Sequence, residues 1–190
     1  MHDRRLVGVI HQAPGVATIG KATLEAALFA ASDKGRLPII MDASTCTARM
    51  QKQLAGRLKI YDFHEFAVDA LLPRLHITPQ QAPVALHINC SVRKDGSDAK
   101  LRTLLKACAS EIIEPAGVTC CGFAGDRGFV VPELNQHALR HLHSALPANC
   151  ACGVSTNRTC EIGLTAESGI NYQSIAYLLE KCSRPGDFPC

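Results

Sequence analysis

Tryptophan is absent from the 190 residues, and phenylalanine and tyrosine together bring the aromatic share to only 5%. A surface that stacks nucleic-acid bases needs more flat rings than that. Excess charge is equally scarce: the net charge is +3 and the charged residues are scattered, which argues against a phosphate-backbone partner. No apolar run approaches the roughly 18 residues of a membrane span. Met1-His2-Asp3-Arg4-Arg5 leads into only about six apolar residues, short of a secretory signal. A dinucleotide fingerprint is missing too. Gly122, Gly125 and Gly128 are not spaced as Gly-x-Gly-x-x-Gly and do not close an expected βα turn of that type. With 47% hydrophobic residues, the chain is expected to bury an ordinary core without staples and to be cytoplasmic.

Against these absences stand ten cysteines. In a reducing compartment thiols are kept free, so a cysteine-rich chain there binds metal or does redox chemistry more often than it builds a disulfide scaffold. The densest stretch is Thr119-Cys120-Cys121-Gly122-Phe123-Ala124-Gly125-Asp126-Arg127-Gly128-Phe129. Adjacent cysteines followed by three glycines read as a tight loop that brings thiolates and backbone N–H groups to one point. Soft thiolates select zinc or iron–sulfur clusters, and N–H donors to sulfur stabilise their charge.

The pattern along the chain is alternating strand and helix. Short apolar runs at residues 6–10, 37–41, 84–88, 111–114 and 151–154 read as strands. Helices are expected over 21–31, 64–75, 100–109, 132–145, 159–164 and 171–181, the fourth with Pro132 at its first position. Ser44 or Thr45 is expected to cap a further helix carrying Cys46 in its first turn, where the dipole favours a thiolate. The expectation is an α/β layered domain, a parallel sheet with helices on both faces. Sites in such sheets form at the carboxyl ends of strands, and Cys46, Cys90, Cys120 and Cys121 all follow expected strands. Cys108, Cys150 and Cys152 read as small buried hydrophobes, Cys182 and Cys190 as free thiols of the tail, and His137, His141 and His143 as a solvated face.

Cys90 precedes Cys120 by 30 positions, and 34 residues separate Gly122 from Asn157 in Asn157-Arg158-Thr159-Cys160. A Cys, a Cys-Cys-Gly and a terminal Cys-x-x-Cys at these distances resemble the cysteine-rich "CCG" domain. That domain occurs in heterodisulfide reductases, in glycolate oxidase iron–sulfur proteins and in FAD-linked D-lactate dehydrogenases. His87-Ile88-Asn89-Cys90-Ser91, Glu114 to Gly128 and Ser155 to Gly163 are similar to the carboxyl-terminal end of the dehydrogenase type. Asp42-Ala43-Ser44-Thr45-Cys46 resembles the tail of a first repeat whose own Cys-Cys-Gly is missing from residues 11–16. Residues 1–80 are then the remnant of a first repeat half, and residues 81–190 are a second repeat carrying the site.

The resemblance implies metal ligation by Cys90, Cys120, Cys121 and Cys160, with Cys46 as a fifth thiolate from the other half. Gly122, Gly125 and Arg127 would cradle the cofactor, and His87 is a borderline-soft substitute ligand. Asn157 stands where the fuller motif has cysteine, and is expected to cap the helix carrying Cys160. A [4Fe–4S] cluster is implied, with a structural zinc as the alternative. The implied work is electron relay for a FAD-dependent D-lactate or related 2-hydroxyacid dehydrogenase. FAD would sit on a partner protein or missing segment, alongside a ferredoxin-like iron–sulfur segment. The acceptor would be a quinone or cytochrome, and membrane association, at the inner face of the plasma membrane, would be peripheral through the partner. The isolated chain is expected not to be catalytic. A zinc-stabilised docking module and an inactive truncated fragment remain the rival readings.

Overall fold

The computed structural model describes residues 14–54 and 56–186, so the strand expected at residues 6–10, and Cys190, lie outside the described residues. The chain enters on helix α1 (Pro14–Ala31), followed by strand β1 (Ile39–Met41), helix α2 (Ser44–Gln53) and strand β2 (Ile60–Asp62). β1 and β2 pair in parallel. A short helix α3 (Phe63–Phe66) then widens into a π turn over Ala67–Leu71 and tightens to a 3-10 turn at Leu72–Arg74. The sequence predicts one regular helix here. Pro73 lacks an N–H and its ring crowds the preceding turn, so the helix cannot run through it. Strand β3 (Leu75–Ile77) follows, and it pairs antiparallel with the final strand β8 (Ser183–Pro185).

The main sheet is built from β4 (Val84–Leu86), β5 (Ile112–Ile113), β6 (Cys152–Ser155) and β7 (Tyr172–Ser174), in the order β5-β4-β6-β7 and parallel throughout. Helices α4 (Cys90–Asp95), α5 (Asp98–Cys108), α6 (Pro132–Leu139), α7 (Arg158–Ser168) and α8 (Ile175–Cys182) connect or flank these strands. Alternation along β4 assigns the two faces. Val84 and Leu86 join Leu101, Leu104 and Leu105 of α5 and Ile175, Leu178 and Leu179 of α8 in one apolar cluster. Ala85, between them, joins Tyr172 of β7, Leu139 of α6 and Leu164 of α7 in another. Helices therefore cover both faces, as expected of a parallel α/β sheet.

Two ends differ from the sequence reading for physical reasons. The last helix begins only at Ile175, because residues 172–174 are drawn into the sheet beside β6, and Ser174 caps α8 by accepting from the Ala176 N–H at 3.1 Å. The helix at Pro132 ends at Leu139, with only a 3-10 turn at His143–Ala145 beyond it. Cys182 is not a tail thiol. It lies 7% exposed in the core, with Sγ donating to the Cys108 carbonyl at 3.3 Å. Burial pushes the Cys108 thiol up to about 12, with the neighbouring Cys182 adding to the shift. Alkylation with N-ethylmaleimide near neutral pH should therefore spare Cys108 and Cys182 until denaturant is added, as read by peptide mass mapping.

Candidate functional site

The carboxyl ends of β1, β4 and β6 meet. The Ser44 N–H, just past β1, donates to the Thr156 carbonyl, just past β6, at 2.9 Å. Asn89, just past β4, donates its amide to Thr156 Oγ1 at 2.8 Å. Ser91 Oγ donates to Thr45 Oγ1 at 3.1 Å, and Ser174 at the end of β7 donates to Asp42 Oδ1 at 2.9 Å. These contacts hold the segments carrying Cys46, Cys90 and Cys160 against one another. Cys46 sits in the first turn of α2 as expected, although the cap is Ala43 with no side-chain hydrogen bond, rather than Ser44 or Thr45. Cys90 opens α4 behind a cap the sequence reading missed: Asn89 Oδ1 accepts from the Ser91 and Val92 N–H groups, both at 3.0 Å.

The Cys-Cys-Gly loop reaches this meeting point through sulfur. Cys121 Sγ and Cys160 Sγ lie 2.8 Å apart, both thiols buried, and share a hydrogen bond. That bond, helped by the N–H groups of Phe123 and Cys121, draws the Cys121 thiol down to about 7 against the opposing effect of burial. Cys160 keeps the proton: the same bond, burial and the nearby sulfurs of Cys121 and Cys90 push its thiol far upward. Cys120 is exposed and accepts from the Gly122 N–H at 3.3 Å.

The loop's shape is enforced by neighbours. Gly122 has φ +74°, and a Cβ there would stand 2.3 Å from the Leu134 carbonyl. Asn135, 5% exposed on α6, donates to the Cys121 carbonyl at 2.5 Å. Nothing in the sequence marks Asn135, since a polar residue on an amphipathic helix reads as surface. Phe123 seals the loop from below, packed edge-on against Phe129 with centroids 4.8 Å apart. Gly125 and Arg127 lie further out, both exposed. No family model matches this chain, and no curated protein does either.

The donor set suits a thiolate-bound metal in kind: five free cysteines, two of them in contact. Among the described residues, no three His, Cys, Asp or Glu side chains converge closely enough to hold an ion. Two sulfurs on one tetrahedral ion with bonds of about 2.3 Å stand about 3.8 Å apart. Cys121 and Cys160 would have to part by about 1 Å to share one.

Asn157 does not cap α7 with its side chain. Its Nδ2 donates instead to Thr159 Oγ1 at 3.0 Å and to Cys160 Sγ at 3.8 Å. The amide therefore addresses the sulfur rather than the helix. Asn89→Ala should cost about 1 to 2 kcal/mol in urea unfolding, as for a working cap, whereas Asn157→Ala should cost less than about 0.5 kcal/mol.

His87 continues β4, its N–H donating to the Val154 carbonyl at 3.0 Å. By alternation it shares the sheet face of Ala85, the side that also buries Cys121 and Cys160. Ser155 Oγ pairs with its Nδ1 at 3.0 Å, while Nε2 is buried without a partner among the described residues. Burial first, and the Arg93 charge second, bring its pKa from 6.5 to about 4. The unfolded chain therefore binds a proton between pH 6.5 and 4 that the folded chain refuses. The stability from this group is complete above pH 6.5 and lost as pH falls toward 4, about 3 kcal/mol in all. His87→Gln should flatten that part of the pH profile in urea titrations at pH 7 and about 4.5.

Proposed function

We propose that this chain is an iron–sulfur electron-transfer module of the cysteine-rich "CCG" type, serving a flavin-dependent dehydrogenase of D-lactate or a related 2-hydroxyacid. The observation that carries this reading is the contact of Cys121 with Cys160, beside segments carrying Cys46 and Cys90 that are tied together at Thr156. Cys90, Cys120, Cys121 and Cys160 are the thiolates, and Cys46 is the additional one. A cluster held by these thiolates would supply one-electron exchange with a flavin on a partner, which takes two electrons as one hydride from the substrate. The chain's own residues set the conditions. The N–H groups of Phe123, Cys121 and Gly122 and the Asn157 amide donate toward sulfur and stabilise its negative charge. Phe123 and Leu164 exclude water from one side.

The 2.8 Å contact of Cys121 and Cys160 favours a second reading, a dithiol that cycles to a disulfide. The pair's single shared proton and lowered Cys121 thiol are the features of a reactive thiol pair. Anaerobic purification separates the two. Iron and acid-labile sulfide in near-equal amounts, lost in Cys121→Ser and Cys160→Ser and kept in Cys182→Ala, are expected. Stoichiometric zinc without sulfide would instead support the docking module. Metal-free protein that forms a Cys121–Cys160 disulfide under mild oxidation would support the dithiol.

A further inference from the structure

Away from the thiols, a pocket of about 210 Å³ opens between α2, α3 and the turn that joins α4 to α5. Ser44, Thr47, Ala48, Gln51, Asp62, Glu65, Asp95 and Ser97 line it. Three of these eight are carboxylates, and none is Lys or Arg. Lys100 interacts with Glu65 across the pocket's edge, but Asp69 engages its ammonium through a 2.5 Å hydrogen bond.

The hydrogen-bonding sense of the lining leans the same way as its charge. His64 is fully buried, with Nδ1 2.7 Å from Asp62 Oδ1 and Nε2 3.1 Å from Ser97 Oγ. In the neutral ring Nδ1–H donates to Asp62, since a carboxylate only accepts, and Nε2 then accepts from the Ser97 hydroxyl. The Ser97 oxygen then has only lone pairs to offer the pocket. Ser97 is the N-cap residue of α5, yet its side chain makes no cap bond. Thr47 spends its hydroxyl hydrogen on the Ala43 carbonyl at 3.1 Å, and Gln51 spends its amide on the Ile60 carbonyl at 3.0 Å. Thr47 is left presenting an acceptor, and Gln51 its Oε1 together with its second amide N–H. Ser44, only 2% exposed, has an Oγ with no partner at all among the described residues. A buried hydroxyl left unpaired costs free energy that a ligand would recover.

The order Ser97–His64–Asp62 is that of a hydrolytic triad, but the surroundings oppose that chemistry. An oxyanion needs donors aimed at it, and this pocket presents acceptors and negative charge. A bare metal ion fits no better, since no three ligating side chains among the described residues converge on one point. What the lining complements is a compact cation with several N–H donors. We propose that this pocket binds a primary alkylammonium group, from a free amine or a lysine side chain, with Ser44, Glu65, Asp95 and Ser97 as its acceptors.

The test is a 1H–15N titration of the full chain with ethylammonium chloride up to about 50 mM, against sodium chloride at matched concentration. Saturable shifts at the Ser44, Glu65 and Ser97 amides, given by ethylammonium and not by sodium, are expected. Ser44→Ala and Glu65→Gln should each weaken binding about tenfold, one lost hydrogen bond to a charged donor apiece. Ser44→Ala removes an oxygen that has no partner and Asp95 is exposed, so Ser44→Ala and Asp95→Asn both keep the fold. Tighter binding of N-acetyl-lysine methylamide than of ethylammonium assigns the ligand to a protein side chain, and the reverse assigns it to a free amine. Shifts that follow ionic strength alone, or affinity unchanged in both Ser44→Ala and Asp95→Asn, would overturn the proposal.

Discussion

Thr156 is the residue on which the arrangement depends. It is 1% exposed, and its carbonyl takes the Ser44 N–H while its hydroxyl takes the Asn89 amide. One buried residue at the end of β6 thus fixes the ends of β1 and β4. Each bond satisfies a group that burial would otherwise leave unpaired, and an unpaired buried group costs about 1 to 3 kcal/mol. The chain segments carrying three cysteines cannot separate without breaking that set. Positioning of the thiols is therefore a by-product of closing the sheet's polar end.

The first part of the chain shows the same dependence from the other direction. Among the described residues its own cluster has Met50, Leu54 and Ile60 as buried members, packed against partly buried neighbours such as Leu24 and Leu28. A two-stranded sheet with so little core is marginal by itself. What ties β1 and α2 to the ends of the main-sheet strands is polar (Ser44 to Thr156, Thr45 to Ser91, and Asp42 to Ser174), while Phe63, Ala67 and Val68 beyond β2 pack into the main apolar cluster. Cys46 and the alkylammonium pocket both lie along this seam, which is where two packed parts of a chain leave unspent hydrogen-bonding groups.

Much of the sheet is readable from the sequence, because fully buried parallel strands announce themselves as continuous apolar runs. Val84 to Leu86 and Cys152 to Val154 are of that kind. Tyr172-Gln173-Ser174 and Ile60-Tyr61-Asp62 are not, since both are short and mix polar with apolar residues; only pairing to β6 and β1 makes them strands. Cys121 and Cys160, which do meet across 39 positions of sequence, are legible by type and spacing. The supporting polar groups are not. Asn89 and Asn157 are both Asn directly before a helix, yet one caps and the other turns to a sulfur. The difference lies in what each amide finds: Thr156 across the sheet for Asn89, and Thr159 and Cys160 in the first turn of its own helix for Asn157.

Two buried histidines among the described residues show how environment decides what a residue type does. His64 has both ring nitrogens occupied, by Asp62 and Ser97, so its ring direction and the Ser97 hydroxyl are fixed together. His87 has one partner, Ser155, and a second nitrogen buried with none among the described residues. The first is a finished structural link whose effect is felt at a pocket wall. The second keeps an unspent nitrogen on the sheet face that also buries Cys121 and Cys160. A neutral imidazole with Nδ1 donating to the Ser155 oxygen has Nε2 as a bare lone pair, a ligand of the borderline kind that accompanies thiolates. With the proton on Nε2 instead, Nδ1 accepts from the Ser155 hydroxyl. The direction of the Ser155 hydroxyl therefore decides which ring nitrogen of His87 carries the proton.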